Sequence, residues 1–166
     1  DPDHKEREFL TLDELTAMTE IKLEDPNMAF ARDLFIFGCW TGISFIDIKN
    51  LTEDNISIVN DAPWIISKRQ KTGVPFQIKL MDIPMLIIER YKSFRKDNHL
   101  FNIGNLDSIN KRIKKVAAMC GIKKRVSFHV SRHSWAVLAL EYGMPIESVS
   151  KILGHTNITT TQIYAK

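Results

Sequence analysis

Five side chains in the last part of the chain are of types that bind phosphate and move protons. His129, Arg132 and His133 occur at positions i, i+3 and i+4, so a helix places them on one face at its N-terminal turn. The backbone amides and the dipole of such a turn favour an anion such as phosphate. His155 and Tyr164 follow further along the chain. Each of these side chains alone is more often structural, and only their combination indicates a phosphate-handling site.

The order of these residues resembles the C-terminal signature of the tyrosine recombinases, or integrases. That signature is His-x-x-Arg-His, then Leu-Gly-His, then a nucleophilic Tyr at the distance found in this chain. Here the sequence reads His129-Val-Ser-Arg132-His133, then Leu153-Gly154-His155, then Tyr164. Three linked motifs with matching spacing make the resemblance specific.

The resemblance extends upstream and covers most of the chain, from about Thr11 to Tyr164. Lys71 lies in Gln-Lys-Thr on the predicted turn between the second and third strands, where the family carries its catalytic Lys. Lys68 is a less favoured candidate for that role. The sequence around Gly42 and around Tyr164 is also similar to that of integrases from conjugative transposons.

One position departs from the family. The segment Thr41-Gly42-Ile43-Ser44-Phe45-Ile46-Asp47 resembles the family motif Thr-Gly-Leu-Arg-x-x-Glu, but Ser44 stands where the first catalytic Arg is expected. Either another cation serves, or the site works with fewer charges, or the domain is catalytically weak. We favour another cation, either a residue outside this chain or one of the candidates nearest in sequence: Arg69, Lys68 or Lys49.

The resemblance implies strand cleavage and rejoining through a 3′-phosphotyrosine, without metal or other cofactor. A free phenol is a poor nucleophile at neutral pH, so Tyr164 needs a proton acceptor and nearby cations. By resemblance, His129 helps accept that proton and Arg132 holds two non-bridging phosphate oxygens. His155 donates to the phosphorane, and Lys71 protonates the departing 5′ oxygen.

The positive charge is concentrated in one segment. The net charge is only +3, but residues 92–132 carry eleven Lys and Arg against two Asp. Such a segment attracts a phosphate backbone, although a solvated helix face gives the same pattern. We take double-stranded DNA as the partner, with these candidate contacts: Lys111, Lys114, Lys115, Lys123, Lys124 and Arg125.

Length and composition favour one soluble, intracellular domain. The chain has 166 residues, of which 44% are hydrophobic and 26% charged, and no apolar run is long enough to cross a bilayer. Cys39 and Cys120 are few and far apart, which suggests reduced thiols. The N-terminus looks like that of a piece excised from a longer protein. We therefore expect residues 1–166 to be a catalytic domain, with the family's N-terminal DNA-binding domain outside this chain and a tetramer formed on DNA.

The periodicity predicts an α+β fold, mostly helical, with a small three-stranded antiparallel sheet. A capping box, Thr-x-x-Glu, starts the first helix at Thr11, and Pro26-Asn27 ends it. The three strands are predicted at Asn55–Val59, Trp64–Arg69 and Phe76–Leu80. Helices are predicted at Met28–Trp40, Ser44–Leu51, Ile83–Arg95, Leu106–Cys120, Val130–Tyr142, Pro145–Leu153 and from Thr159.

Three other functions fit parts of the sequence. Pro2-Asp3 with Glu20-Ile21-Lys22 imitates the carboxylate pair of a metal-dependent nuclease, but it falls on a predicted helix and an unstructured end. The helix Pro145–Leu153 fits a non-catalytic helix-turn-helix module, which Ser44 favours. A type IB topoisomerase shares the catalytic residues. The spacing from Leu-Gly-His to Tyr favours the recombinase.

Overall fold

A computed structural model describes residues 8–155 and 157–165. Within them, three helices and three strands are followed by five more helices. The first group is α1 (Leu12–Glu20), α2 (Pro26–Thr41), α3 (Phe45–Asn50), β1 (Ile56–Val59), β2 (Ala62–Lys68) and β3 (Pro75–Lys79). The second is α4 (Asp82–Tyr91), α5 (Leu106–Met119), α6 (His129–Glu141), α7 (Ile146–Leu153) and α8 (Thr159–Gln162). Single 3-10 turns follow α3 and α4 at Glu53–Asn55 and Lys92–Phe94. The predicted α+β class is confirmed.

The sheet is an antiparallel meander in the order β1-β2-β3. Asn60 and Asp61 both adopt positive φ, 50° and 63°, and complete the reversal between β1 and β2 by themselves. Ala62 and Pro63 therefore pair with Val59 and Ile58 as part of β2. The second strand, predicted to begin at Trp64, therefore begins two residues earlier, because two successive left-handed residues complete the turn.

Helix α2 is the centre of the core. From Ala31 to Cys39 every residue is buried, and the helix packs against α1, α4, α5 and α6. Pro26 occupies its first turn, where a missing amide costs nothing, and Asp25 caps it by accepting from the amide of Asn27 at 2.8 Å. The Pro-Asn pair predicted as a break is thus the start of the next helix.

Gly42 ends α2 in the left-handed region, with φ of 74°. A Cβ at this position would lie 2.5 Å from Cδ2 of Trp135, so the glycine also allows close packing of α6. The segment 42–47, which resembles the family motif, is thereby held against α6 at Trp135. This contact matters because α6 begins with His129 and carries Arg132.

The predicted capping box at the start of α1 is confirmed. The Thr11 hydroxyl accepts from the Glu14 amide at 3.2 Å, and a Glu14 carboxylate oxygen accepts from the Thr11 amide at 3.0 Å. Leu15 and Met18 bury the inner face of the helix. Just before it, the amide of Leu10 donates to the Ser134 hydroxyl at 2.9 Å, which ties α1 to α6.

Helices α6, α7 and α8 pack in succession, and α7 also contacts β3. The C-terminal end of α7 therefore faces the end of the sheet where β2 passes into β3. Cys39 is buried, Cys120 is half-buried, and both are free thiols. None of the helices formed by the described residues has the length and apolar character required of a membrane span.

Candidate active site

Tyr164 and two histidines form a contiguous row. The phenol of Tyr164 is buried, at 8% exposure, and its oxygen is in hydrogen-bond contact with Nδ1 of His133. The ring of His129 stands edge-on to that of His133, with centroids 4.4 Å apart and planes at 88°. One turn of α6 thus places an exposed imidazole next to a buried one, and the buried one reaches the tyrosine.

His133, on the same helix face as His129, is the histidine that contacts Tyr164. The family resemblance assigns proton acceptance to His129 and does not indicate this role for His133. The signal that identifies it is the i, i+4 spacing of the two histidines, which predicts neighbouring rings on one face. Which of the two faces Tyr164 depends on how α8 packs, and spacing does not determine that.

Arg132 is held between the C-terminal ends of two helices. Its Nη1 donates to the carbonyl of Gly42, at the end of α2, at 3.1 Å. Its Nη2 donates to the carbonyl of Leu153, at the end of α7. Carbonyls at helix C-termini carry partial negative charge and stabilise a cation. These two contacts fix the position of the guanidinium, and its remaining N–H groups can still donate to a phosphate.

The charge of Arg132 is only partly compensated. Burial is the main cause, and the positive charge of Arg69 the second, of a pKa lowered to about 10. Asp47 and Tyr164 act in the opposite direction. At neutral pH the guanidinium remains a cation, in surroundings that an additional negative group would improve.

Arg69 lies beside Arg132. Its Nη1 donates to the same Leu153 carbonyl at 2.8 Å, and its Nε stands 4.0 Å from a carboxylate oxygen of Asp47. That carboxylate accepts from the hydroxyl of Ser44 at 2.8 Å and from the amide of Gln70 at 2.9 Å. Both arginines, Ser44 and Asp47 line one narrow cleft.

The other two cations considered for the place of the missing Arg lie elsewhere. Lys68, the last residue of β2, is exposed. Lys49 is also exposed and donates to the carbonyl of Gly104 at 3.4 Å, away from the cleft. Of the three candidates named from sequence, the structure brings only Arg69 to Arg132.

His155 follows the left-handed Gly154, whose φ of 71° ends α7. Its Nδ1 is 2.6 Å from the hydroxyl of Thr161, a fully buried residue in α8. If Nδ1 is the donor, Nε2 is left as an acceptor, and protonation makes it a donor as well. This contact orients the imidazole and links it to the helix that precedes Tyr164.

Lys71 is exposed in the turn between β2 and β3, as predicted. The turn is closed by the Gly73 amide, which donates to the Arg69 carbonyl at 2.7 Å. The ammonium of Lys71 makes no hydrogen bond or ion pair with any residue in 8–155 or 157–165. The structure therefore does not bring Lys71 into contact with the other four candidates.

The proposed DNA-contacting residues are not equivalent. Lys111, Lys114 and Lys115 are exposed on α5, and Lys123 and Arg125 are exposed in the segment that leads to α6. Lys124 differs, because its ammonium donates to Glu14 at 2.6 Å and to the carbonyl of Phe9 at 2.9 Å. Five of the six are thus directed to solvent, whereas Lys124 is used to join two parts of the protein.

No three or more His, Cys, Asp or Glu side chains are grouped as metal ligands among the residues that the structure covers. Of the carboxylate pair considered for a nuclease, Asp3 lies outside the described residues. Glu20 is exposed at the end of α1.

The chain is similar to known recombinases over nearly its whole length. It is 25% identical over 165 residues to the tyrosine recombinase XerC of Yersinia pestis, covering 93% of this chain and 54% of that protein. It is 30% identical over 143 residues to the tyrosine recombinase XerA of Pyrococcus horikoshii, covering 80% and 48%. The chain thus spans about half the length of the curated relatives it matches.

Solved structures show the same fold. A XerH site-specific recombinase bound to palindromic difH substrate, in a post-cleavage complex, gives a TM-score of 0.79 at 18% identity, covering 97% of this chain and 50% of that chain. The Tn1549 transposon integrase in complex with circular intermediate DNA gives 0.75 at 19% identity, covering 98% and 63%. The sequence model of the Phage integrase family matches residues 8–166, which include every catalytic candidate, and the chain belongs to that family.

Proposed function

We propose that residues 1–166 are the catalytic domain of a tyrosine recombinase, which breaks and rejoins DNA at specific sites through Tyr164. The observation that carries the proposal is the contact between the buried Tyr164 hydroxyl and His133, next to a guanidinium fixed by two helix ends. A tyrosine with a purely structural role needs no cation beside it. Here the charge of the neighbouring Arg132 is only partly compensated, which fits a site that binds an anion. The relatives described above are tyrosine recombinases, which supports the same activity.

The reaction we propose is an in-line displacement at phosphorus. The Tyr164 oxygen forms a bond to phosphorus while the bond to the 5′ oxygen breaks, and the phenolic proton passes to the histidine pair of α6. Arg132 and His155 stabilise the negative charge of the phosphorane. Lys71 gives a proton to the departing 5′ oxygen, for which its turn must move toward the DNA. The 5′ hydroxyl of another strand then attacks the phosphotyrosine and releases Tyr164.

Double-stranded DNA is the substrate in this proposal, and the exposed lysines of α5 contact its phosphates without reading sequence. Several copies assemble on the DNA as a tetramer, because exchange of strands between two duplexes requires four cleavage sites. The reaction takes place in the cytoplasm and serves a mobile element. It requires no cofactor.

A covalent adduct is the decisive product. The protein in its full natural length is incubated with a pool of nicked suicide duplexes with randomised cores, and adducts that survive SDS are recovered and sequenced. We expect 3′ adducts that form in the presence of EDTA and are lost in Tyr164→Phe. Tyr142→Phe is the matched control, since Tyr142 is 68% exposed at the end of α6.

Other outcomes contradict the proposal in different ways. Cleavage that requires a divalent metal and persists in Tyr164→Phe supports a nuclease. Binding without any adduct supports a DNA-binding module. Adducts that only relax supercoils, and never join two duplexes, support a type IB topoisomerase.

A further inference from the structure

We infer that Arg69 supplies the second guanidinium that holds the scissile phosphate, the role left open by Ser44. The inference rests on the proposed function and names a further catalytic residue for it. It starts from the position of Arg69 directly after β2, from which its side chain reaches the end of α7.

Arg69 and Arg132 share one acceptor. Both donate to the carbonyl oxygen of Leu153, Arg69 through Nη1 and Arg132 through Nη2. Two like charges held this close repel each other, and the lowered pKa of Arg132 reflects that repulsion in addition to burial. Such an arrangement is costly unless an anion binds between or beside the two guanidiniums.

The charges of the cleft favour one further anion. Asp47 is the carboxylate that faces both arginines, and it also accepts from Ser44 and Gln70. Two guanidiniums and one carboxylate leave a single positive charge, which is the charge that one phosphodiester neutralises. The phosphorane carries one more negative charge, so the pair binds the transition state more strongly than the substrate.

Arg69 retains donors for that phosphate. A guanidinium has five N–H groups, and the contact with Leu153 uses one of them. The Nε of Arg69 is buried and has no hydrogen-bond acceptor among the residues in 8–155 and 157–165, since Asp47 is 4.0 Å away. A buried, unpaired donor of a charged group destabilises the cleft, and an anion bound beside the guanidinium would offset that cost.

Two small residues make room for the side chain. Ser44 is the N-cap of α3 and donates to Asp47, so no long side chain from that position enters the cleft. At Gly154 a Cβ would lie 3.0 Å from Cδ of Arg69 and still closer to Nη1. The second cation thus approaches from the sheet, along the turn that carries His155, instead of from α3.

The test measures cleavage and binding separately in the full-length protein, using a suicide duplex recovered from the adduct selection. We expect Arg69→Ala to slow single-turnover adduct formation by about 10²–10³-fold, as for the loss of one oxyanion donor, with binding of the duplex changed by less than about threefold. Lys79→Ala, which removes an exposed cation at the end of β3, is the matched control and should cleave normally.

A second readout separates charge stabilisation from a structural role. The same duplex is made with a neutral methylphosphonate at the scissile position, which has less charge for a guanidinium to stabilise. For Arg69→Ala the defect on this duplex should shrink by about tenfold or more relative to the phosphate duplex. Arg69→Lys keeps the charge but not the fork, and should fall between the wild type and Arg69→Ala. If Arg69→Ala does not fold, Arg69→Lys is compared on the two duplexes instead.

Normal cleavage by Arg69→Ala, equal losses of binding and cleavage, or an equal defect on both duplexes would overturn the role of Arg69. These results leave the proposed function intact as long as the wild type forms an adduct that Tyr164→Phe lacks. If the wild type forms no adduct on any duplex, the proposed function fails first, and the assignment of Arg69 fails with it.

Discussion

Nδ1 of His133 is in hydrogen-bond contact with the phenolic oxygen of Tyr164, and both side chains are buried. His129, the residue to which the family resemblance assigns proton acceptance, is exposed, and its ring stands edge-on to that of His133. In this arrangement His133 is the first group that can receive the phenolic proton. His129 lies where it can exchange a proton with solvent or with DNA-bound water.

We predict that His133→Ala slows adduct formation by about 10²-fold, the lower end of the contribution of a positioned acid or base. His133→Asn places near the former Nδ1 an amide that can hydrogen-bond to the phenol but cannot accept its proton, so it should stay as slow as His133→Ala. Single-turnover cleavage across pH 5–9 checks this, with thermal unfolding of each variant to verify the fold. Unchanged cleavage by His133→Ala, together with a severe defect in His129→Ala, would assign the proton to His129.

Arg132→Ala should impair cleavage far more than binding. Its guanidinium is already oriented by the carbonyls of Gly42 and Leu153, so its main contribution is to the phosphorane, worth about 3–4 kcal/mol. Parallel measurements of duplex affinity and of the single-turnover rate test this. A loss of affinity as large as the loss of rate would mean that Arg132 only positions the ground state.

Ser44→Arg should raise the cleavage rate by less than about tenfold, and it can lower it. The new side chain would meet Asp47 and Arg69 in a cleft that already holds two guanidiniums. In the background of Arg69→Ala the same substitution should restore cleavage, because one guanidinium then replaces the other; the two changes are strongly non-additive.

The contrary result for Ser44→Arg is equally clear. A gain of a hundredfold or more, at the level of an arginine supplied to a charge-poor phosphoryl-transfer site, means that the site lacks a cation as it stands. Failure of Ser44→Arg to restore cleavage in the Arg69→Ala background would mean that the two guanidiniums do not serve the same role. The single and double variants are measured on one duplex under single-turnover conditions.

Lys114→Ala should weaken DNA binding more than Lys115→Ala. Asn110 accepts from the amide of Phe128 at 2.8 Å, which places that edge of α5 next to the start of α6. Lys114 lies one turn further on the same edge, whereas Lys115 is rotated away from it. The slope of log affinity against log salt should fall by about one for Lys114→Ala, and cleavage of bound DNA should be unchanged. Equal effects of the two variants would contradict this orientation.

Glu14 should make the stability of the fold depend on acidic pH. Burial opposes its ionisation, but hydrogen bonds from Lys124 and Thr11 outweigh burial, and the pKa of Glu14 is lowered. Its contribution is therefore fully present above the unfolded value of about 4.3 and is lost as pH falls through the lower folded value. Urea unfolding should find Glu14→Gln less stable than the wild type at pH 7 and similar to it at strongly acid pH. The amide keeps the capping geometry, so a difference that persists in acid would reflect capping instead of charge.

The sequence by itself determined most of the secondary structure and the family. Capping residues, helix-ending glycines and the alternation of the strands act through local geometry, so Thr11, Gly42 and Gly154 indicated their boundaries without any knowledge of packing. The spacing of the C-terminal motifs is local in the same sense, and it identified the catalytic candidates in advance. Asn60 and Asp61 show the limit of this level, because two left-handed residues shortened the turn that the pattern predicted.

Only the tertiary structure decided which candidates meet. Periodicity tells which residues share a helix face, but the partner of that face is set by packing between elements far apart in sequence. Arg69 is one of the three cations in this chain that the sequence offered in place of the Arg missing at Ser44. The contact of β3 with α7 brings this one to Arg132. Packing of the C-terminal turn likewise placed Tyr164 against His133. Packing of α1 brought Glu14 to Lys124, so Lys124, unlike the other proposed DNA contacts, is not directed to solvent.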